Sequence, residues 1–183
     1  MMNSALDKDI KEVLLSRDEI EKRVKEIAAE ITADYRGESV LMVGILRGAV
    51  VFFSELVKRV DLDVRFDFMV VSSYGAGTDS SGEIRIVKDL SQPIENMNVI
   101  IVEDIIDTGY TLKNLKRLLM TRNPKSLKIA ALLDKPSRRK VEIEGDYVGF
   151  KVPNEFVVGY GLDYNEKYRN LPDICILNPE VYS

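Results

Sequence analysis

The fold turns on one stretch, Val99-Ile100-Ile101-Val102-Glu103-Asp104-Ile105-Ile106-Asp107-Thr108-Gly109-Tyr110-Thr111. Its first four residues are an unbroken β-branched run, the pattern of a strand buried on both faces in the middle of a parallel sheet. Two acids follow the run, then a short turn, then a helix over residues 110–121 with Leu112, Leu115, Leu118 and Leu119 on one face. Backbone amides at a helix start form a ready anion site, and the hydroxyls of Thr108 and Thr111 add donors to it. Gly109 permits close approach of the backbone to a phosphate. Glu103 and Asp104 are suited to accept hydrogen bonds from ribose hydroxyls, as the acidic residue does in dinucleotide folds. Asp107 is electrostatically out of place beside a phosphate, because two anions repel. Its carboxylate makes sense there if it turns toward a proton it must accept. Taken alone, Asp107-Thr108-Gly109 is equally an N-cap and turn; the thirteen-residue pattern as a whole favours a ligand site.

Working outward, the same alternation of strand and helix recurs. Ser16-Arg17-Asp18-Glu19 reads as a capping box. Ile20, Val24, Ile27, Ala28 and Ile31 follow at helical spacing, and Gly37 is a plausible stop. Residues 40–46 read as a buried strand, 49–60 as a helix, 64–73 as a strand and 126–133 as another. Residues 72–83 lack apolar periodicity and carry Gly75, Gly77 and Gly82, which predicts a mobile surface loop, with 84–88 as the returning strand of a long hairpin. Short late strands are expected within 147–161 and at 174–177. The order predicts an α/β fold, a mainly parallel twisted sheet flanked by helices, with ligands beyond the carboxyl ends of the strands.

Composition narrows the chemistry. At 183 residues the chain sits near the length of one compact domain, and its 45% apolar and 31% charged residues are ordinary globular material. A formal net charge of −4 argues against general nucleic-acid binding. Cys175 is the only cysteine, so no intrachain disulfide is possible, and a buried strand thiol is its simplest reading. There is no histidine, which removes the commonest general base and the usual transition-metal ligand. Acid–base work then falls to carboxylates, lysine or tyrosine, and a catalytic metal should be a hard, oxygen-liganded ion. No apolar run approaches a membrane span, and residues 1–11 are too polar for a signal peptide, so the expected location is cytoplasmic.

The stretch from Val102 to Leu112 resembles the phosphoribosyl-pyrophosphate (PRPP) motif of type I phosphoribosyltransferases, in particular the hypoxanthine-guanine phosphoribosyltransferases. The likeness runs in consistent order from about Leu41 to Leu177. Leu46-Arg47-Gly48 resembles the family's pyrophosphate loop, although the family usually has Lys where Arg47 stands. The resemblance implies a cis peptide between residues 46 and 47. Ser73-Tyr74 and the glycines after it resemble the mobile lid. Lys135 stands at the place of the base-reading lysine. Phe156-Val157 through Asp163 to Glu166, together with Arg169, resemble the hood over the base, and Asn154-Glu155 departs from the Asp often found before it.

The family implies transfer of the 5-phosphoribosyl group from PRPP to hypoxanthine or guanine, giving IMP or GMP and pyrophosphate, in purine salvage. A single phosphoribosyltransferase domain over residues 1–183 is then expected. Its core would span about 38–135, and its hood would combine the N-terminal segment with about 147–177. By the same resemblance Asp107 is the catalytic base. Arg47, Gly48, Glu103, Asp104, Thr108, Gly109, Tyr110, Thr111 and Arg169 contact PRPP, and Lys135, Phe156, Val157 and Asp163 meet the base. Mg²⁺ is the expected cofactor, near Glu103, Asp104 and Asp163, with few protein ligands. The partners are PRPP and a purine base, without nucleic acid or membrane, in a homo-oligomer (dimer or tetramer). The competing readings are a xanthine-preferring relative and a PRPP-sensing, nucleic-acid-binding regulator on the same fold. Lys135-Pro-Ser-Arg-Arg-Lys140 is a basic cluster that reads as a solvated loop near the anionic ligand.

A lid over residues 72–83 would exclude water from an oxocarbenium-like centre. Limited proteolysis should cut this segment fast in the free protein. PRPP, Mg²⁺ and an unreactive purine analogue together should slow that cleavage strongly. Unchanged cleavage, or an unaltered kcat in Tyr74→Ala, would leave the segment a passive hairpin tip.

Overall fold

The computed structural model of the chain describes residues 6–73 and 84–182. Strand β1 (Ile10–Leu15) leads into helix α1 (Arg17–Asp34), followed by β2 (Ser39–Leu46), α2 (Val50–Val57), β3 (Asp63–Ser73) and β4 (Ile84–Lys88). Strand β5 (Asn98–Ile106), helix α3 (Tyr110–Met120) and β6 (Ser126–Asp134) come next, then β7 (Tyr147–Lys151), β8 (Val157–Val158) and β9 (Ile174–Leu177). Six strands form one sheet in the order β4-β3-β2-β5-β6-β7, and β1, β9 and β8 form a second, three-stranded sheet. Strands β2, β3, β5, β6 and β7 are parallel neighbours, and only β4 runs antiparallel, against β3.

The capping box at Ser16 is formed in full: the Ser16 hydroxyl accepts from the Glu19 amide, and the Glu19 carboxylate accepts from the Ser16 amide at 2.9 Å. Ile20, Val24, Ile27, Ala28 and Ile31 are the buried face of α1, as their spacing predicts. Helices α1 and α2 cover one face of the main sheet with Ile27, Ile31, Phe52 and Leu56 against Met42, Ile100 and Val102. On the other face Leu112, Leu115 and Leu119 of α3 pack with Val43, Val99, Ile101 and Ile129. Val99–Val102 are therefore fully buried between two helical layers. Cys175 is buried in β9, within the small cluster formed by Val158, Tyr168, Leu171 and Leu177.

Three expectations shift. The strand at the centre is longer than its β-branched run: β5 continues through Glu103 and Asp104 to Ile106, because Glu103 and Ile105 still pair with Ala131 and Leu133 of β6. The two acids thus lie on the strand, not after it. Tyr147–Lys151 belongs to the main sheet, where it pairs the otherwise open edge of β6, so the hood sheet begins only at Val157. Residues 10–15, read from the sequence only as part of the N-terminal segment, form the strand that pairs β9. Tyr74 and most of the expected lid lie outside the described residues, and Ser73 ends β3.

The chain places β3 on one side of β2 and then returns to lay β5 on the other. The helices after β2 and β5 diverge at that reversal and leave a crevice outside the carboxyl ends of the two strands. Leu46, at the end of β2, and Ile106, at the end of β5, open onto it. No helix among the described residues is long and apolar enough to cross a membrane.

Candidate active site

Three loops meet at the crevice. The first follows β5. Asp107 and Thr108 lead to Gly109, whose φ of 88° is left-handed, and α3 starts at Tyr110. A cavity of about 180 Å³ lies there, lined by Glu103, Asp107, Thr108, Gly109 and Thr111. Gly109 has a nearer reason to be glycine than approach to a phosphate. Besides its positive φ, a Cβ at this position would come within 2.5 Å of the Ile143 side chain.

The second loop joins β2 to α2. Its Leu46–Arg47 peptide is cis. Gly48 is held between two neighbours: a Cβ there would lie 1.6 Å from Asp104 Oδ2, and its carbonyl oxygen would be 2.1 Å from a Cβ built on Gly161. Absence of side chains at both glycines lets the pyrophosphate-type loop, strand β5 and the late loop close onto one another. The third loop, residues 159–169, carries Asp163 and Arg169. Arg169 donates to the Gly161 carbonyl at 2.8 Å and pairs with Asp163 at 2.9 Å. Arg47 makes a two-toothed ion pair with Glu166, at 2.8 and 3.1 Å.

On the far side of Asp107 a second cavity of about 380 Å³ is lined by Ile105, Lys135, Arg138, Phe156, Val157 and Tyr182, with Asp163 at its wall. Lys135 is only 7% exposed, and its ammonium donates to the Glu155 carbonyl at 2.7 Å. Burial pulls its pKa below the ordinary lysine value, against the opposing pull of Asp107. Phe156 is partly exposed, and its ring stacks on Tyr182 at 4.9 Å.

The structure therefore brings together most of the residues singled out in the sequence. Arg47, Gly48, Asp104, Asp163 and Arg169 form one wall. Glu103, Asp107, Thr108, Gly109 and Thr111 form the second, and Lys135, Phe156 and Val157 the third. Tyr110 begins α3 but does not line either cavity. Among the described residues no three acids converge as a ready metal cage, so Glu103, Asp104 and Asp163 do not form a shared ligand set by themselves.

Sequence reading assigned no role to Tyr182, Arg138 or Glu166. Tyr182 lies beyond the resembling stretch and reaches the site only because β9 returns to it. The basic cluster after Lys135 is not simply solvated: Arg138 pairs with Asp107 Oδ1 at 2.7 Å, and Arg139 bonds the Asp107 carbonyl and the Asp134 carboxylate. The sequence reading placed this cluster near an anionic ligand; its pairing with Asp107 joins two loops distant in the chain.

Burial dominates the electrostatics of the two strand acids. It pushes Glu103 well above the usual carboxylate range, with the neighbouring Asp104 adding to the rise. Burial likewise pushes Asp104 up to about 6; the amide of Ile105 and the Arg169 guanidinium oppose this, and Asp163 reinforces it. Since an unfolded aspartate titrates near about 3.9, the folded protein retains this proton while the unfolded chain has already released it. The stability linked to Asp104 is thus fully present below about pH 4 and is lost as pH rises through about 6. Asp104→Asn should stabilise the ligand-free protein relative to wild type at about pH 7.5. The gain should shrink toward about pH 4.5. Thermal melts at the two pH values check this, and an equal difference at both would contradict it.

Comparison with known proteins places this geometry. The family model described as the phosphoribosyl transferase domain matches residues 12–165. The bifunctional protein TilS/HprT of Listeria monocytogenes is 55% identical over 181 residues, and the chain spans 28% of that relative's length. The hypoxanthine-guanine phosphoribosyltransferase of Staphylococcus aureus is 56% identical over 175 residues, covering 96% of this chain and 98% of that one. A crystal structure of a hypoxanthine phosphoribosyltransferase from S. aureus superposes with a TM-score of 0.97 at 55% identity, covering 100% of both chains. By its sequence, its sheet order and the loops that meet at its crevice, the chain belongs to the phosphoribosyl transferase family, among the hypoxanthine-guanine phosphoribosyltransferases.

Proposed function

We propose that the chain transfers the 5-phosphoribosyl group of PRPP to a nitrogen of hypoxanthine or guanine and releases pyrophosphate, a purine-salvage reaction carried out in the cytoplasm. One observation carries this reading: Asp107 lines both cavities, the one at the start of α3 and the one beside Lys135 and Phe156. A carboxylate between a phosphate cradle and a base-sized pocket stands where the sugar carbon and the purine nitrogen must meet.

The roles follow from the walls. The amides and hydroxyls at Thr108–Thr111 take the 5-phosphate, using the positive end of α3. Lys135, already fixed by the Glu155 carbonyl, donates a second hydrogen bond to the 6-oxo group of the base. An ammonium there disfavours a 6-amino purine, whose amino group is also a donor. Phe156 supplies an aromatic face, and the backbone of Val157 meets the base edge. As the bond from the anomeric carbon to pyrophosphate breaks, positive charge builds on the sugar and the new carbon–nitrogen bond forms. The proton leaving the purine nitrogen passes to Asp107, whose carboxylate is oriented by Arg138.

The donor set also suits a hard divalent cation. All candidate ligands are oxygens, the chain has no histidine, and Glu103 and Asp104 are half-buried acids whose desolvation a cation would offset. Glu103, Asp104 and Asp163 would hold Mg²⁺, directly or through water. When bound it would neutralise charge on the departing pyrophosphate.

Steady-state kinetics with PRPP, Mg²⁺ and four bases tests the reading, with turnover expected for hypoxanthine and guanine and none for adenine. Asp107→Asn should lower kcat by roughly 10²–10⁴ with PRPP affinity little changed. Near-normal kcat would reduce Asp107 to a residue of the turn. Lys135→Ala should raise KM for both 6-oxopurines while PRPP binding is spared. Equal loss of PRPP affinity would instead make Lys135 a phosphate contact.

A further inference from the structure

Glu166 has no part in the chemistry described above, yet it stands at the centre of the cations on the pyrophosphate side. Its Oε2 lies 2.8 Å from one nitrogen of Arg47, and its Oε1 lies 3.1 Å from the other. The same Oε1 is 3.5 Å from the Arg169 guanidinium. One carboxylate therefore faces two arginines carried by two different loops, from positions separated by 119 residues in the case of Arg47. The backbone supports this placement. Glu166 has a φ of 62°, and its amide donates to Asp163 Oδ2 at 2.9 Å, which fixes the turn that presents its side chain.

Two planar guanidinium groups around one carboxylate imitate what a pyrophosphate oxyanion needs. Arginine at position 47 matters here, because a guanidinium offers a parallel two-point fork to a carboxylate or phosphate and an ammonium does not. The pair is exposed, at 69% and 57% of the two side chains, so it is worth little in water and can be given up cheaply. We propose that Glu166 is an exchangeable counter-ion for the leaving group: it keeps Arg47 and Arg169 together in the absence of an anion and yields them to pyrophosphate. Glu166 is thus a positioning residue that also sets how readily pyrophosphate departs, since its carboxylate competes for the same two forks. The inference rests on the proposed transferase reading.

Calorimetric titration with inorganic pyrophosphate in the presence of Mg²⁺ tests it. Glu166→Gln keeps the shape and removes the charge, and should tighten pyrophosphate about three- to tenfold. Inhibition by pyrophosphate in the forward reaction should strengthen by the same factor, with KM for hypoxanthine unmoved. In an Arg47→Met background the gain from Glu166→Gln should fall to about twofold or less, because the contested fork is gone. Binding of IMP, which needs neither arginine, should be unchanged in every variant and reports an intact fold. Unchanged or weakened pyrophosphate binding in Glu166→Gln overturns the proposal, as does a full gain in the Arg47→Met background. A wild type that turns over hypoxanthine alongside such a result leaves the transferase reading standing, whereas a wild type that neither turns over nor binds pyrophosphate removes both.

Discussion

The structure depends on carrying two carboxylates toward the end of a strand whose first half is wholly buried. Val99–Val102 have no exposed surface, and the strand they begin runs on through Glu103 and Asp104. A strand so fixed by helices on both faces cannot shift to relieve the acids that follow. Taking carboxylates partly out of water is costly, and both groups respond by holding their protons more tightly than free acids do. The apolar core thereby supports a polar end that would not persist by itself, as sites of function often require.

The surrounding positive charge is abundant but committed. Arg169 is shared among Gly161, Asp163 and Glu166, Arg138 is paired with Asp107, and Lys135 rests on a carbonyl. Arg138 and Lys135 are thus held by partners from another segment, and Arg169 by partners on its own loop. Such a site is prepared for a ligand that supplies both an anion for the arginines and a cation for the strand acids. On the proposed reading a metal-bound sugar pyrophosphate would supply both, whereas a simple phosphate or a nucleic-acid backbone offers only the first half.

Much of this was legible from the sequence because it rests on local rules. The capping box at Ser16 and Glu19, the helical spacing of Ile20 through Ile31 and the β-branched run at Val99 each state their structure within one window. The same holds for the Thr-Gly turn that opens α3. The harder features depend on partners distant in the chain. Nothing near Tyr147 shows that the edge of β6 needs a parallel neighbour, and nothing near Ile10 shows that β9 will pair with it. Glu103 and Asp104 were placed just outside the strand because acids ordinarily end a buried run. Pairing with Ala131 and Leu133 overrides that tendency. Ion pairs were least visible of all, since Arg47 and Glu166 look like two exposed charges until the loops that bear them meet.

The division into two sheets explains where chemistry can occur. On the proposed reading the main sheet, through β2 and β5, would hold the loops for the phosphate groups and ribose, and the small sheet, through β8 and β9, would carry Phe156, Val157 and Tyr182 toward the base. On that reading the base and the sugar phosphate would meet at the seam between the sheets, where Ile105 and Asp107 line both cavities. Asp107 is the first residue past β5, so a strand packed between two helical layers fixes its backbone. Arg138 and Arg139, from the loop after β6, then grip its carboxylate and its carbonyl. In the proposed role, a carboxylate held this way from both ends would lose little orientational freedom on meeting its substrate, the condition under which proximity accelerates proton transfer most.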